Sequence, residues 1–152
     1  MSSTAQADHA INVLLVEDSL PDVELTQQAF KDAKFCNPLF VVRDGEQALR
    51  FLRRQTPFEN AERPDLVLLD LNLPKVNGRE VLAAIRADPR LSLLPVVILT
   101  TSQSEEDVIR SYQLKANAYV TKPVDASSFI SIVRQIQHFW ISVVTLPPRD
   151  AP

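Results

Sequence analysis

Residues 11–22 read INVLLVEDSLPD, and the fold follows from how that stretch divides. Ile11–Val16 is a short, branched apolar run of the kind that forms a buried strand, and Glu17-Asp18 closes it in an acidic turn. A helix then begins. The Ser19 hydroxyl can accept from first-turn amides, Pro21 needs no amide partner there, and Asp22 stands at capping-box spacing. The pattern predicts helix to about Asp32.

The same grammar repeats along the chain. Apolar runs at 39–42, 66–69, 96–99 and 118–120 alternate with helical patterns near 47–53, 79–87, 105–114 and 127–144. Strands that are apolar on both sides and joined by helices imply an α/β fold: a doubly wound parallel sheet, covered on both faces, with right-handed crossovers. In such sheets chemistry gathers at the carboxyl ends of the strands. There the sequence places Glu17 and Asp18, then Asp70, then Thr100-Thr101-Ser102, then Thr121-Lys122-Pro123, all on one rim.

Composition narrows the classes. The 152 residues are 45% apolar and 23% charged, and a chain of that length can bury roughly 70% of its unfolded surface without disulfides or a structural metal. A net charge of -3 argues against nucleic acid as a direct partner, because that binding needs clustered Lys and Arg. Cys36 is the only cysteine, which points to a reducing compartment and a packing role. No run reaches the roughly 18 apolar residues of a membrane span and the start lacks a signal-peptide layout, so a cytoplasmic location without membrane contact is expected. With Gly45 and Gly78 as the only glycines, every glycine-rich phosphate loop is excluded. Residues 55–64 read as an exposed loop to which no chemistry is assigned. The expected organisation is a disordered tail over 1–10, one domain over 11–146 and a closing tail over 147–152.

The rim residues carry the chemistry. Carboxylates from Glu17, Asp18 and Asp70 on adjacent strand ends would repel by about 4 kcal/mol per pair at about 4 Å and an intermediate dielectric, so a cation belongs among them. Mg²⁺ suits the setting, since it prefers oxygen ligands and commonly bridges carboxylates to a phosphoryl group. Lys122 offers a mobile point charge for a phosphoryl oxygen, and Thr100 a hydroxyl donor. Together these parts suit an aspartyl-phosphate.

LLVED ending at Asp18, LVLLDLNLP around Asp70, VILTTS around Thr100 and YVTKP around Lys122, each after a strand, resemble a response-regulator receiver domain of the CheY-like type, over about residues 11–144. The resemblance implies a flavodoxin-like fold of five strand-helix units with strand order 2-1-3-4-5. It implies that Asp70 is the phosphoacceptor, served by Lys122 and Thr100. Glu17, Asp18, Asp70 and the main-chain carbonyl of Asn72 would hold Mg²⁺ or Mn²⁺, and Thr100 and Tyr119 would form a switch pair. A histidine kinase would supply the phosphoryl group. Catalysis is then mainly positioning and charge neutralisation, so the chain is a signalling phosphoacceptor that assists its own phosphorylation and dephosphorylation, not an enzyme. On phosphorylation Thr100 is expected to move in to donate, and Tyr119 to enter the space it leaves.

A narrower resemblance lies in the last third. TTS at 100–102, SYQLKANAYVTKP at 111–123 and HFWISVVTLPP at 138–148 are similar to the small response regulators paired with bacterial and cyanobacterial phytochromes. This implies a phytochrome-type, light-regulated kinase as partner, and a homodimer through the face made by the fourth helix, fifth strand and fifth helix. Thr101 departs from the small residue most receivers carry there.

Simpler readings stand beside these. Phe129, Ile132, Val133, Ile136, Trp140, Val143 and Val144 form one helical stripe that packing on the sheet explains. Ile130, Phe139 and Ile141 widen it, and Ile109 and Tyr112 add apolar surface on the preceding helix. Ile109, Tyr112, Phe139 and Trp140 are therefore candidates for contact with a second copy. Thr101 and Ser102 read equally well as loop hydroxyls satisfying backbone amides, and His9 and His138 as surface residues. An aspartyl-phosphate phosphatase or phosphotransferase of the haloacid-dehalogenase type is the enzymatic alternative, but it needs a second carboxylate where Asn72 stands. A flavin-binding module would meet repulsion from Glu17 and Asp18. A receiver that merely drains phosphate from its kinase shares every feature above; a degenerate, unphosphorylated one is disfavoured by the filled acceptor positions.

Overall fold

The computed structural model describes residues 10–31 and 37–149. The readings attached to His9, to Cys36 and to a helix end near Asp32 lie outside the described residues. The elements are β1 (Val13–Val16), α1 (Leu20–Lys31), β2 (Leu39–Val42), α2 (Gly45–Leu52), β3 (Leu66–Leu69), α3 (Gly78–Ala87), β4 (Val96–Thr100), α4 (Glu105–Gln113), β5 (Ala118–Thr121) and α5 (Ala126–Gln137). The strands are all parallel, in the expected order β2-β1-β3-β4-β5.

Each strand alternates its side chains between two apolar layers, as a pleated strand must. Leu14, Val16, Val67, Leu69, Val96 and Ile98 pack on one face with Phe51 of α2 and Val81, Leu82 and Ile85 of α3. Val13, Leu15, Leu66, Leu68, Val97 and Leu99 pack on the other with Val23 and Phe30 of α1 and Phe129, Val133 and Ile136 of α5. Side-chain caps from Asp44, Asn77, Ser104 and Asp125 open α2, α3, α4 and α5, satisfying first-turn amides that have no partner within the helix. By contrast α4 is lightly anchored, with Ser111 its one buried residue.

Register brings the strand ends level. Val16 lies beside Val42 and Leu69, Leu69 beside Ile98, and Thr100 beside Thr121. The residues that follow therefore emerge on one rim. Gly78 sets the height of α3 against that rim: a Cβ there would come within 2.3 Å of the Asp70 carbonyl oxygen and 2.6 Å of the Leu71 Cα. Only a residue without a side chain lets α3 start this close to the end of β3.

The chain's end departs from expectation. The apolar stripe predicts a single helix to Val144, but α5 stops at Gln137 and the backbone widens into a π turn over His138–Val143. The Val144 N–H donates to the Phe139 carbonyl at 2.8 Å, a spacing of five residues. The wider turn breaks the stripe. Phe129, Val133 and Ile136 are buried and Trp140 half-buried, yet Val143 is 58% exposed. Beyond it, Arg149 Nε and Nη2 donate to the two carboxylate oxygens of Asp65, each at 2.7 Å, and Nη2 also reaches the Ala10 carbonyl. The Asn12 N–H donates to the same carboxylate at 2.8 Å. The segment expected to be a closing tail is thus fastened, through Arg149, to the amino-end rim of the sheet. Among the described residues no helix is long and apolar enough to cross a membrane.

Candidate functional site

At the carboxyl-end rim, Asp70 follows β3 and its N–H continues the ladder to the Val16 carbonyl at 3.1 Å, which fixes it beside Glu17. Both residues are buried, at 6% and 2% exposure, as are Thr100 and Lys122. Asp70 Oδ1 accepts from the Thr100 hydroxyl at 2.8 Å and from the Asn72 N–H at 3.1 Å. Its Oδ2 accepts from Lys122 Nζ at 2.9 Å. Lys122 Nζ also lies 2.6 Å from Glu17 Oε1 and 2.8 Å from Asp22 Oδ2, so one ammonium serves three carboxyl groups. Asp18 is exposed at the mouth, and Arg43 Nη2 donates to its main-chain carbonyl at 2.6 Å, holding the β1–α1 turn in place.

The crowding separates the two buried carboxyls. Burial pushes Glu17 up to about 7, with the Asp70 charge adding to it, although Lys122 pulls the other way. Burial would also raise Asp70, but hydrogen bonds from Lys122 and from the Glu17 carboxyl, the Lys122 charge and the Asn72 N–H together hold it below the usual carboxylate range. The same pocket thus drives its two buried carboxyls in opposite directions, Glu17 up and Asp70 down. Burial works against the Lys122 charge, yet Asp22, Glu17 and Asp70 hold its pKa above the ordinary lysine value.

Among the described residues no three Asp, Glu, His or Cys side chains form a ready-made metal cluster. The carboxyl groups of Glu17, Asp22 and Asp70 converge on the ammonium instead. The donor set nevertheless fits a hard divalent ion. The rim offers buried carboxyl oxygens from Glu17 and Asp70, with Asp18 exposed beside them and three carboxyl groups on one ammonium, which is the hard-oxygen, charge-deficient setting such an ion takes.

The remaining residues form a second layer. The Thr100 hydroxyl, expected to swing in only after phosphorylation, already donates to Asp70. Tyr119 is half-buried against the α2/α3-side core, and its hydroxyl donates to the Ser102 carbonyl at 2.9 Å. Ser102, which the sequence left between two readings, donates to Asp107 Oδ2 at 2.7 Å, and Asp107 pairs with Arg79 of α3. Ile109, Tyr112 and Phe139 are exposed; Trp140 is half-buried against the opposite core layer, with Phe139 edge-on to it at 5.7 Å.

The sequence reading missed Asp22 as a site residue. It assigned that side chain to capping-box spacing, but the Ser19 N–H goes to Glu17 Oε2 at 3.1 Å and the Asp22 carboxylate goes to Lys122. The available signal was its place in the first turn of a helix whose amino end faces the rim.

Comparison with known proteins gives the same picture at the level of the family. A family model described as response regulator receiver domain matches residues 13–134. Response regulator Rcp1 of Synechocystis sp. is 49% identical over 135 residues, covering 89% of this chain and 92% of that protein. The crystal structure of the phosphorylated cyanobacterial phytochrome response regulator RcpA superposes with a TM-score of 0.89 at 46% identity, over 92% of this chain and 100% of that one. The Mn²⁺-bound form of Rcp1 gives 0.87 at 48% identity, over 91% and 99%.

Proposed function

The chain belongs to the response regulator receiver family, and from that premise we propose that Asp70 accepts a phosphoryl group from the phosphohistidine of a phytochrome-type histidine kinase. In the transfer an Asp70 carboxylate oxygen bonds to phosphorus as the phosphorus–nitrogen bond of the donor breaks, its electron pair staying on the imidazole nitrogen. The observation that carries the reading is the division of labour between the two buried carboxyls. Asp70 is bonded on both oxygens, by Thr100 and by Lys122, and held below the usual carboxylate range, while burial pushes Glu17 up. Such a nucleophile needs no further activation, only alignment and a cation to offset the arriving charge.

Asp18, Asp70 and the Asn72 carbonyl, with Glu17 beside them, would hold Mg²⁺ or Mn²⁺, which supplies charge neutralisation to the phosphoryl oxygens. Lys122 pairs with a phosphoryl oxygen, and the Thr100 hydroxyl turns toward another. Because Thr100 already bonds Asp70, the switch is a transfer of an existing hydrogen bond from carboxylate to phosphoryl. That shift draws on the loop in which the Ser102 carbonyl holds Tyr119 and the Ser102 hydroxyl holds Asp107. Similarity to RcpA and Rcp1, and the exposure of Ile109, Tyr112 and Phe139, support output through the face of α4, β5 and α5, including contact with a second copy.

Incubation with Mg²⁺ and acetyl phosphate should add one acid-labile phosphoryl group, read by intact mass and absent in Asp70→Asn; an unmodified wild-type mass would refute the acceptor role. Light scattering on Phe139→Ala and Trp140→Ala should show a shift toward monomer, and a wild type that stays monomeric at high concentration would refute the shared face.

A further inference from the structure

The Lys122 ammonium has three N–H donors, and Glu17, Asp22 and Asp70 take them at 2.6, 2.8 and 2.9 Å. Two of these partners follow strands β1 and β3; Asp22 does not. It reaches in from the first turn of α1, where its N–H bonds the Ser19 hydroxyl and its carbonyl accepts from Thr26. Its backbone position is therefore set by the helix and not by Lys122. A phosphoryl group on Asp70 consequently meets a lysine whose donors are all in use. Of the three partners, Asp22 is the one water can replace, with a side chain 24% exposed against 3% for Glu17 and 7% for Asp70.

Resting on the reading of Asp70 as acceptor, we propose that Asp22 is a positioning residue that competes with the incoming phosphoryl group for Lys122 and thereby limits how tightly the site takes a tetrahedral anion. The competition has two parts. Asp22 holds one N–H, and its negative charge lies no farther from Asp70 Oδ2 than the two Nζ contacts of 2.8 and 2.9 Å laid end to end. At that range like charges still repel appreciably even in a partly solvated site.

The test is titration of the full chain with fluoroberyllate in the presence of Mg²⁺, followed by the fluorine resonance of the bound anion. Asp22→Asn should lower the half-saturating concentration about fivefold or more, and acetyl phosphate should phosphorylate it faster than wild type. Asp22→Glu, which restores the charge, should return both values toward wild type. Asp22→Ser keeps first-turn capping chemistry without charge and serves if the Asn variant does not fold. A purely structural role in α1 would lower the melting temperature of the uncharged variants without tightening the anion. Unchanged or weaker binding by a folded, uncharged variant overturns the proposal. Failure of the wild type to take fluoroberyllate, or equal binding by Asp70→Asn, would remove the acceptor reading and this proposal with it.

Discussion

Both rims of the sheet bury a carboxylate against a cation, and they differ in whether the account closes. At the amino-end rim Asp65 receives a bidentate pair from Arg149 and an N–H from Asn12. One carboxylate meets one guanidinium, and its hydrogen-bonding capacity is largely filled. At the carboxyl-end rim one ammonium is divided among Glu17, Asp22 and Asp70, with Asp18 beside them. Buried ion pairs rarely stabilise a fold more than apolar packing would, so a cluster with surplus negative charge is not explained by stability. Under the proposed reading, a divalent cation and a phosphoryl group account for it. The balanced rim fastens the end of the chain to the sheet, whereas the unbalanced one is, on that reading, a binding site.

This contrast is sharpest in single substitutions. Lys122→Ala removes the ammonium that three carboxyl groups share and should cost about 3–5 kcal/mol in metal-free urea melts, with millimolar Mg²⁺ returning a substantial part. A loss that Mg²⁺ leaves untouched would make the two rims alike. Arg149→Ala leaves Asp65 with the Asn12 N–H and access to water, so the expected cost is smaller, about 1–3 kcal/mol, and indifferent to Mg²⁺. A Mg²⁺-dependent loss there would break the comparison from the other side.

The smallest effect is a pH slope. Glu17 holds its proton up to about 7 in the fold, against 4.5 in the unfolded chain. Between those values the native protein binds a proton that the unfolded one has released. The stability this contributes is complete below the unfolded value and is lost as pH rises through 7. Thermal melts in chelator should therefore fall in melting temperature on going from weakly acidic to weakly alkaline buffer, and Glu17→Gln should flatten that slope. A slope that survives the substitution would place the proton elsewhere.

Much of this was legible in the sequence because it depends on local period and order. Branched apolar runs at regular intervals dictated the strands, and side chains just past Val16, Leu69 and Val120 had to share a rim once the strands were parallel. Glu17, Asp70, Thr100 and Lys122 do meet there. What escaped depends on contacts the pattern does not encode. Asp22 was absorbed by a local explanation, a helix cap, that uses the same residue type at the same place. The Asp65–Arg149 pair spans most of the chain, and nothing in a proline-rich ending announces a partner. The π turn is a choice of backbone hydrogen bond that apolar spacing does not determine. Charge alone places the Thr100 hydroxyl on the phosphoryl group, yet a hydroxyl beside a carboxylate donates to it without any trigger.

A crystal structure grown with Mg²⁺ and fluoroberyllate would show whether Asp70 is the acceptor. The expected result is beryllium bonded to an Asp70 carboxylate oxygen, the metal among Asp18, Asp70 and the Asn72 carbonyl, and Lys122 Nζ on a fluoride with its contact to Asp22 given up. Lys122 still spread over Glu17, Asp22 and Asp70, with no density on the aspartate, would contradict it.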